Sequence, residues 1–346
     1  MERYSKIIYS IGKEYQVKTL AQYALGVDIG GTKVSVTLGN YRGKILDKKL
    51  LPTRTGKESK RAIEEIAATL GFLKSSGGND SILGIGVGIP GPMNPHKGII
   101  EKSPHLHGWQ GFSLKHFLEK KLRLPVFMGN DANAAALGEK VFGAGKKVQN
   151  FVYLTISTGI GGGVVLGGKL LLGVSYGAGE VGHTIVSAGG ERCGCGHHGC
   201  LEAYASGTAI ARFVREELLR VKSLKILKLA GSRGKVNAEI VAEAADSGDR
   251  LALEAYRRAG YYLGVGLANL INILNPEMLI LGGSVMKSSN LLWPSMKDSA
   301  RAHAWPSLYK ACRIVKTKLG DQVGDLGALA LVFHGSPRVK SGETIH

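Results

Sequence analysis

Two segments of the chain share one plan, in which a glycine-rich turn joins two apolar runs. The first is YALGVDIGGTKVSVTLG at 23–39, and the second is FVYLTISTGIGGGVVLGGKLL at 151–171. Apolar runs on either side of such a turn predict β-hairpins. Glycine lets backbone N–H groups approach an anion, and the Ser and Thr hydroxyls at the turns add further donors. The repeat therefore predicts a duplicated pair of domains that hold phosphate groups between them.

Either glycine-rich turn taken alone is also typical of a tight hairpin that binds nothing. No GxxxxGK[ST] phosphate-binding loop occurs in the chain. The glycine run GIGVGIPG at 84–91 does not match a dinucleotide-binding fingerprint, because Pro90 and Pro92 stand where a helix should begin. The phosphate prediction therefore depends on the two turns together.

The rest of the chain alternates apolar strand patterns with amphipathic patterns, which predicts an α/β fold. The predicted helices are 58–73, 113–122, 132–142, 208–222, 237–247, 249–274, 288–302 and 326–334. The helix at 249–274 ends before Asn275 and Pro276, because the residue before a proline is disfavoured in a helix. The strand EMLILGG follows, and its glycines with Ser284 form a third turn that could wrap an adenosine group.

Asn130 and Asp131 lie between the short apolar strand LPVFM and an alanine-rich helix. Both residue types favour the N-cap position, so a purely structural role is one interpretation. The other is a general base, since a hydroxyl that accepts a phosphoryl group needs a positioned carboxylate to take its proton. Asp28, in the first hairpin, is a separate acid that could hold a hydrated Mg²⁺.

Three of the four cysteines lie in HTIVSAGGERCGCGHHGCLE at 183–202. Three thiolates and one imidazole make a closed tetrahedral site that leaves no position for water, which predicts a structural zinc ion. His183, His197 and His198 are the candidates for the imidazole, and three reduced cysteines without metal are the remaining alternative. A disulfide scaffold is disfavoured, because the chain has only four cysteines in 346 residues and the cytosol is reducing.

The chain carries a formal net charge of +18, and eight Lys or Arg residues lie in each of the stretches 42–61 and 212–235. Aromatic residues are nearly absent from both stretches, so we expect an exposed basic surface, or a field that attracts an anionic substrate such as a nucleotide. No apolar run is long enough to span a membrane, and the N-terminal residues lack a signal-peptide pattern. We therefore expect a cytoplasmic protein of two domains.

Six motifs occur in a fixed order between about residues 25 and 335: DIGGTK, IPGPMNP, GNDANAAALGE, STGIGGG, GEVGH and CGCGHHGCLE. Together they resemble the ROK family, whose name stands for repressor, open reading frame and kinase. The resemblance implies a two-domain, actin-like (ribonuclease H-like) sugar kinase fold with an interdomain cleft. It divides the chain into an N-terminal extension at 1–24, a smaller α/β domain at 25–143, a larger domain with the zinc loop at 144–325, and a C-terminal helix and tail at 326–346 that pack back on the first domain.

The same resemblance implies a role for individual residues. Asp131 would be the catalytic base. The sugar would be bound by Gly91, His105, Asn130, Asp131, Glu180, His183 and Glu202. ATP and Mg²⁺ would be bound by Asp28, Gly30, Gly31, Thr32, Lys33, Thr158, Gly159, Gly282, Gly283 and Ser284. One structural zinc ion would be held by His183, Cys193, Cys195 and Cys200, which favours His183 over the other two histidines.

These roles predict an ATP-dependent hexose kinase that converts glucose to glucose 6-phosphate and accepts several other hexoses. His105 stands where glucose kinases of the family commonly have Asn, and it could instead cap a loop. Pro92 and Pro104 disfavour N-acetylmannosamine, while fructose and N-acetylglucosamine stay open. We expect the partners to be a hexose and ATP, with no nucleic acid and no membrane, and the chain to form a homodimer or homotetramer.

Some members of the family are sugar-sensing repressors, which provides an alternative of a different class. A repressor needs an N-terminal helix-turn-helix, and only 24 residues precede Leu25. That length is too short for a three-helix DNA reader and a linker. The kinase is therefore the preferred prediction.

Overall fold

The computed structural model describes residues 22–76, 82–91, 93–100 and 106–335. The strands within these ranges are β1 (Tyr23–Ile29), β2 (Lys33–Asn40), β3 (Ile45–Pro52), β4 (Ile82–Ile89), β5 (Met93–Asn94), β6 (Ile99–Ile100), β7 (Val126–Asn130), β8 (Phe151–Ile156), β9 (Ile160–Leu166), β10 (Lys169–Leu170), β11 (Met278–Gly282) and β12 (Arg313–Lys316). The helices are α1 (Ser59–Ser76), α2 (Leu114–Leu122), α3 (Asp131–Val141), α4 (Glu202–Ala205), α5 (Gly207–Glu217), α6 (Leu224–Ala230), α7 (Ala238–Asp246), α8 (Arg250–Leu274), α9 (Ser289–His303), α10 (Pro306–Ala311) and α11 (Val323–Gly335).

Two five-stranded sheets have the same topology, with strand orders β3-β2-β1-β4-β7 and β10-β9-β8-β11-β12. In each sheet the first three strands in chain order pair antiparallel. The last two strands continue the sheet in parallel. Both predicted hairpins are confirmed, since β1 pairs with β2 and β8 pairs with β9. The repeated topology places both glycine-rich turns at the same end of their sheets.

Each sheet contributes to its own hydrophobic core. Residues of β1, β2 and β4 pack with α1 and α2, around buried side chains such as Ile66 and Leu70. Residues of β8, β9 and β11 pack with the helices from α5 to α9, around buried side chains such as Leu263 and Leu267. Within the described ranges, none of the helices has the length and apolarity needed to cross a membrane.

Helix α11 packs against β1, β4 and β7 of the first sheet and against α3. Glycine makes this close approach possible, because a Cβ atom on Gly86 would lie 1.8 Å from the carbonyl oxygen of Ala328. A Cβ on Gly327 would likewise fall 2.7 Å from the carbonyl of Ala134 in α3. The glycine run at 84–91, which does not match a dinucleotide fingerprint, thus makes room for a helix that crosses the sheet.

The eight predicted helices are all present, most within three residues of the predicted bounds. The helix predicted at 208–222 is shorter than expected, because the regular helix ends at Glu217. Three short helices, α4, α6 and α10, were not predicted. They have four, seven and six residues, which is too short for a hydrophobic period to be read. The first strand begins at Tyr23, two residues before the predicted start of the first domain.

Candidate functional site

The first glycine-rich turn, residues 30–32, is held by backbone and hydroxyl hydrogen bonds. Gly30 N donates to Lys33 O at 2.9 Å, and Thr53 N donates to Thr32 O at 3.1 Å. The Thr53 hydroxyl donates to Gly30 O at 2.8 Å. Gly31, Thr32 and Lys33 are exposed. The turn therefore presents groups to solvent while β3 supports it from behind.

Asp28, two residues before this turn, is a half-buried acid among other acids. Burial raises the pKa of its carboxyl to about 7, and the nearby carboxylates of Asp131 and Asp325 raise it further, against the opposing effects of Lys48 and Lys33. Asp28 and Asp131 flank Gly88, where a Cβ would lie 3.7 Å from Asp28 Oδ1 and 3.9 Å from Asp131 Cα. The structure thus brings the two acids predicted from sequence to one place, and the negative charge there suits a divalent cation.

Asp325, on α11, was not among the predicted site residues. It is 3% exposed and forms an ion pair with Lys48 of β3. Its other oxygen, Oδ1, has no hydrogen-bond partner. No sequence signal marked this residue, because the pair joins segments 277 residues apart.

The second glycine-rich turn, Ser157 to Gly159, meets two other elements. Gly207 N, at the start of α5, donates to Ser157 O at 2.7 Å. The hydroxyls of Ser157 and Ser284 lie 2.9 Å apart. Gly283 adopts φ +94°, and a Cβ there would lie 2.3 Å from Ile156 O. The second turn and the third turn at 282–284 therefore form one continuous wall.

This wall borders a cavity of about 710 Å³. Thr158 and Ser284, both predicted from sequence, line it. Three basic residues that were not predicted, Arg215, Lys235 and Lys287, line it as well. Arg215 and Lys235 belong to the basic stretch 212–235, so part of that stretch faces a cavity. Its positive charge can therefore attract an anionic ligand there.

Asn130 and Asp131 lie at the junction between β7 and α3. Asn130 Oδ1 accepts from Ala132 N at 2.9 Å and from Asn133 N at 3.3 Å, which makes Asn130 the N-cap. Its Nδ2 donates to Gly91 O at 3.3 Å. Asp131 is the first residue of the helix, where the helix dipole stabilises a negative charge. The capping role considered from sequence is thus filled by Asn130.

A small cavity of about 40 Å³ adjoins this junction. Four of the predicted sugar-binding residues line it: Gly91, Asn130, Asp131 and Glu180. Tyr176 also lines it and was not predicted from sequence. His105, the other predicted sugar ligand from the first half of the chain, lies outside the described residues.

His183 and Glu202 line another cavity of about 430 Å³, together with Gly159 and with Thr158, which also lines the cavity of about 710 Å³. Glu202 Oε2 accepts from Ile160 N at 2.9 Å. Its Oε1 lies 3.7 Å from Cys193 Sγ. Glu202 therefore links the second glycine-rich turn to the cysteine-rich loop, and the predicted sugar residues are distributed over two cavities that have no lining residue in common.

The cysteine-rich loop brings His183, Cys193, Cys195 and Cys200 together, with ligand atoms all within 4.8 Å of one another. Cys195 Sγ and Cys200 Sγ lie 3.7 Å apart, and Cys193 Sγ lies 3.7 Å from His183 Nδ1. A tetrahedral zinc ion with Zn–S bonds of about 2.3 Å needs edges of about 3.8 Å between its ligands. The donor set and spacing therefore fit zinc. Of the rival histidines, His198 Nδ1 is instead 2.9 Å from Gly190 O, and His197 Nδ1 lies 3.5 Å from Cys195 Sγ.

Glu191, within the same loop, accepts from two arginines. Arg212 Nη2 lies 3.3 Å from Glu191 Oε2, and Arg258 Nη2 lies 2.9 Å from Oε1. Arg212 also donates to Arg192 O at 2.9 Å and to Ala203 O at 2.8 Å. Arg212 thus ties the loop to α4, next to Glu202.

Arg258, on α8, lies among aromatic rings. Its guanidinium carbon is 4.9 Å from the ring centre of Tyr204, 4.8 Å from that of Phe213 and 5.5 Å from that of Tyr262. The Tyr204 and Tyr262 rings stack at 3.9 Å. We call Glu191, Arg212 and Arg258 the loop brace, because they attach the cysteine-rich loop to α5 and α8.

Comparison with known proteins places this geometry in a family. The ROK family model matches residues 24–334. The chain is 39% identical over 308 residues to a glucokinase of Thermotoga maritima, which covers 89% of this chain and 96% of that protein. It is 32% identical over 315 residues to a xylose repressor of Bacillus spizizenii, which covers 90% of this chain and 77% of that protein.

Among solved structures, a ROK family glucokinase from Streptomyces griseus, in complex with glucose and AMPPNP, superposes with a TM-score of 0.75 at 31% identity. The match covers 89% of this chain and 98% of that one. The fold predicted from the motifs is confirmed, since both sheets and the helices around them match a sugar kinase of this family. The chain belongs to the ROK family.

Proposed function

We propose that this protein transfers the γ-phosphoryl group of ATP to a hexose, with glucose as the preferred acceptor and glucose 6-phosphate as the product. The observation that carries the proposal is the position of Asp131. Asp131 lines the cavity together with Asn130, Gly91 and Glu180, and its Cα lies near Gly88, as does Oδ1 of Asp28. The glucokinase relatives, at 38–39% identity over most of the chain, support the same activity.

Asp131 acts as the general base. The acceptor hydroxyl of the sugar gives its proton to this carboxylate as its oxygen attacks the γ-phosphorus. Asn130 and Glu180 bind other hydroxyls and so orient the acceptor, and the backbone of Gly91 closes the same side. Since Asn130 also caps α3, any shift of this side chain moves the base as well.

The nucleotide occupies the larger cavity, with its phosphates between the two glycine-rich turns. Backbone N–H groups of Gly31 to Lys33 and of Thr158 and Gly159 donate to the phosphate oxygens, while Gly30 N keeps its bond to Lys33 O. The glycines at 282 and 283 and Ser284 lie beside the nucleoside. Bound Mg²⁺, held through Asp28, would neutralise charge that develops on the phosphates. The buried, acid-rich surroundings of Asp28 fit such an ion.

His183, Cys193, Cys195 and Cys200 would hold one structural zinc ion. Because all four protein ligands are used, the ion would supply folding free energy, not a bound water. With the ion bound, the loop would be held so that His183 and Glu202 face the sugar. His183 would use Nδ1, its atom nearest Cys193, for zinc and Nε2 for a sugar hydroxyl.

Metal analysis after gel filtration tests the zinc proposal. We expect about one zinc per chain in the wild-type protein and much less in Cys200→Ser, while Cys312→Ser, which changes the buried cysteine outside the cluster, keeps its metal. A metal-free wild-type protein with full activity would contradict the proposal.

A panel of sugars tests the activity. Glucose, mannose, fructose, N-acetylglucosamine and N-acetylmannosamine are each incubated with ATP and Mg²⁺, and ADP release is followed. We expect the highest kcat/KM with glucose and little release with N-acetylmannosamine. Failure with every sugar, joined by tight sequence-specific DNA binding at about 150 mM salt, would favour the repressor, a class that the xylose repressor relatives represent.

The homo-oligomeric state, the cytoplasmic location and the domain bounds at residues 25–143 and 144–325 stay predictions. Size-exclusion chromatography with light scattering would test the first of them.

A further inference from the structure

Tyr176 has an unusual backbone conformation. Among the described residues, the non-glycine positions with positive φ are Arg123, Tyr176 and Asn275. Arg123 and Asn275 are the C-caps of α2 and α8, where a left-handed residue is normal. Tyr176, at φ +61°, caps no helix. A bulky side chain in this region is strained, and such strain concentrates at ligand-binding sites.

The loop around Tyr176 holds the residue in this conformation. Ala178 N donates to Leu172 O at 3.0 Å, which closes the loop at its base. Glycine stands at 173, 177 and 179, and the first and last of these have φ of +73° and +96°. Glycine would also adopt φ +61° at position 176 without strain. A tyrosine there therefore indicates a use for its side chain.

The side chain of Tyr176 reaches from the small cavity to the surface. It lines the cavity beside Asn130, Asp131 and Glu180. On its other side it contacts the ring of His96, with ring centres 5.6 Å apart and an interplanar angle of 62°. His96 is exposed and lies in the turn between β5 and β6, where Asn94 Oδ1 accepts from His96 N at 3.0 Å. Tyr176 thus lines the cavity, and the ring of His96, 80 residues away in the chain, packs against it from outside the lining.

The size of the cavity gives these rings a role. A volume of about 40 Å³ holds a water molecule or two, whereas a hexose has twelve heavy atoms. A hexose that reaches Asp131 therefore requires one wall of this cavity to move, whereas the cavity of about 430 Å³ at His183 and Glu202 already has room for a sugar. Asn130 and Asp131 are fixed at the start of α3, and Gly91 is fixed to Asn130. The glycine-flanked loop that carries Tyr176 is the wall with the fewest such attachments.

We infer that Tyr176 is a specificity-determining residue that packs its ring on the bound hexose and, held in place by the His96 ring, closes the sugar cavity against hexoses that carry an N-acetyl group. The inference deepens the proposed function and rests on it. The aromatic ring offers a flat apolar face to the C–H groups of the sugar, and its bulk fills the space that a larger substituent would need.

Tyr176→Gly tests this role, because glycine removes the ring and relaxes the backbone together. We expect its unfolding temperature to stay within about 3 °C of the wild type, so a loss of affinity will not reflect unfolding. The KM for glucose should rise about tenfold, as expected for one lost aromatic contact. The ratio of kcat/KM for N-acetylglucosamine to that for glucose should also rise about tenfold. Tyr176→Phe, which keeps the ring, should stay within about threefold of wild type in both values.

Val174→Gly is the matched control. Val174 is in the same loop and fully exposed, so this change adds flexibility without touching the cavity, and both values should stay at the wild-type level. Unchanged KM and sugar ratio in Tyr176→Gly, or equal changes in Val174→Gly, would overturn the inference.

Calorimetric titration with glucose separates this inference from the proposed function. If wild-type protein binds glucose without phosphorylating it, the proposed function is wrong, and the inference then requires about a tenfold weaker Kd in Tyr176→Gly. A wild-type protein that binds no hexose at all would overturn both.

Discussion

Asn130 and Asp131 are neighbours in the chain, and both side chains accept from Ala132 N, but only Asn130 also accepts from Asn133 N. Asn130 accepts from two backbone N–H groups of the first turn of α3. That leaves Asp131 at the helix N-terminus, beside the small cavity. From the sequence, either residue could have been the cap, because both are common N-cap types. The bond from Asn133 N assigns the cap to Asn130, and the base role of Asp131 stays a proposal.

Asp131→Asn should lose nearly all phosphoryl transfer while glucose still binds. The amide cannot take the proton, and general bases contribute about 10²- to 10⁴-fold to rate. Steady-state kinetics should show the loss in kcat, and calorimetry should show a glucose Kd close to the wild-type value. Asp298→Asn, an exposed position on α9, is the matched control and should be fully active. Turnover within tenfold of wild type in Asp131→Asn would refute the assignment.

The ionised carboxylate of Asp28 destabilises the folded protein when no nucleotide or Mg²⁺ is bound. Its pKa is raised from 3.8 to about 7 by burial and by its acidic neighbours. The folded state therefore favours the protonated form, and ionisation costs stability increasingly as pH rises from about 4 to 7. The full cost is on the order of 4 kcal/mol, and it is present above the folded pKa.

Asp28→Asn should consequently stabilise the protein in the absence of nucleotide and Mg²⁺. Urea unfolding should show a gain over wild type that is about 3 kcal/mol larger at pH 8 than at pH 5. Phosphoryl transfer should fall sharply at both pH values, because the ligand for Mg²⁺ is lost. A gain that is the same at both pH values would show that the charge of Asp28 does not limit stability.

At the scale of elements, the sequence predicted what is local and missed what joins distant segments. Both hairpins and α3 follow from glycine turns and a capping pair, all of which lie within a few residues of each other. The cysteine-rich loop was recognised because its ligands lie within 18 residues. The loop brace was not, because Glu191 and Arg258 are 67 residues apart and neither belongs to a motif. Tyr176 was missed for a related reason. Only its positive φ angle and its position in the lining of the small cavity distinguish it, and neither can be read from the sequence.

Arg258→Ala should loosen the cysteine-rich loop. The change removes an ion pair to Glu191 and contacts with three aromatic rings. We expect the KM for glucose to rise several-fold with kcat changed by less than about threefold, as for a residue that positions the sugar ligands. Hydrogen exchange in residues 184–200 should become faster, and a chelator should remove metal sooner.

Arg257→Ala provides the control for this experiment. Arg257 lies next to Arg258 on α8 and pairs with Glu254 of the same helix. Its replacement should leave the loop and the KM unchanged. Wild-type exchange rates in Arg258→Ala would show that the brace does not hold the loop.

At the scale of the whole molecule, α11 closes the first sheet. It lies over β1 and β4 and crosses α3, the helix that carries the candidate base. The C-terminal residues of the described chain therefore support the site that the N-terminal strands form. The sequence motifs give the order of the N-terminal strands and α11 along the chain. The close contact between Gly86 of β4 and Ala328 of α11 is seen only in the structure.

Gly86→Ala should destabilise the protein by about 2–3 kcal/mol, because the added Cβ would fall 1.8 Å from Ala328 O and force α11 away. Chemical denaturation measures the change. Gly71→Ala on α1 is the matched control, since its Cβ would have only an ordinary contact at 3.7 Å with Leu122 and alanine favours the helix. Equal stability of the two variants would mean that α11 does not need this close approach.

The transfer of phosphorus itself tests the central claim most directly. Phosphorus NMR of the wild-type protein with ATP, Mg²⁺ and glucose should show the γ-phosphate resonance of ATP decrease as a glucose 6-phosphate resonance appears at the same rate. The Asp131→Asn protein should show almost no change over the same time. Loss of the γ-phosphate to inorganic phosphate alone, or no change with any hexose, would contradict the assignment of this chain as an ATP-dependent hexose kinase.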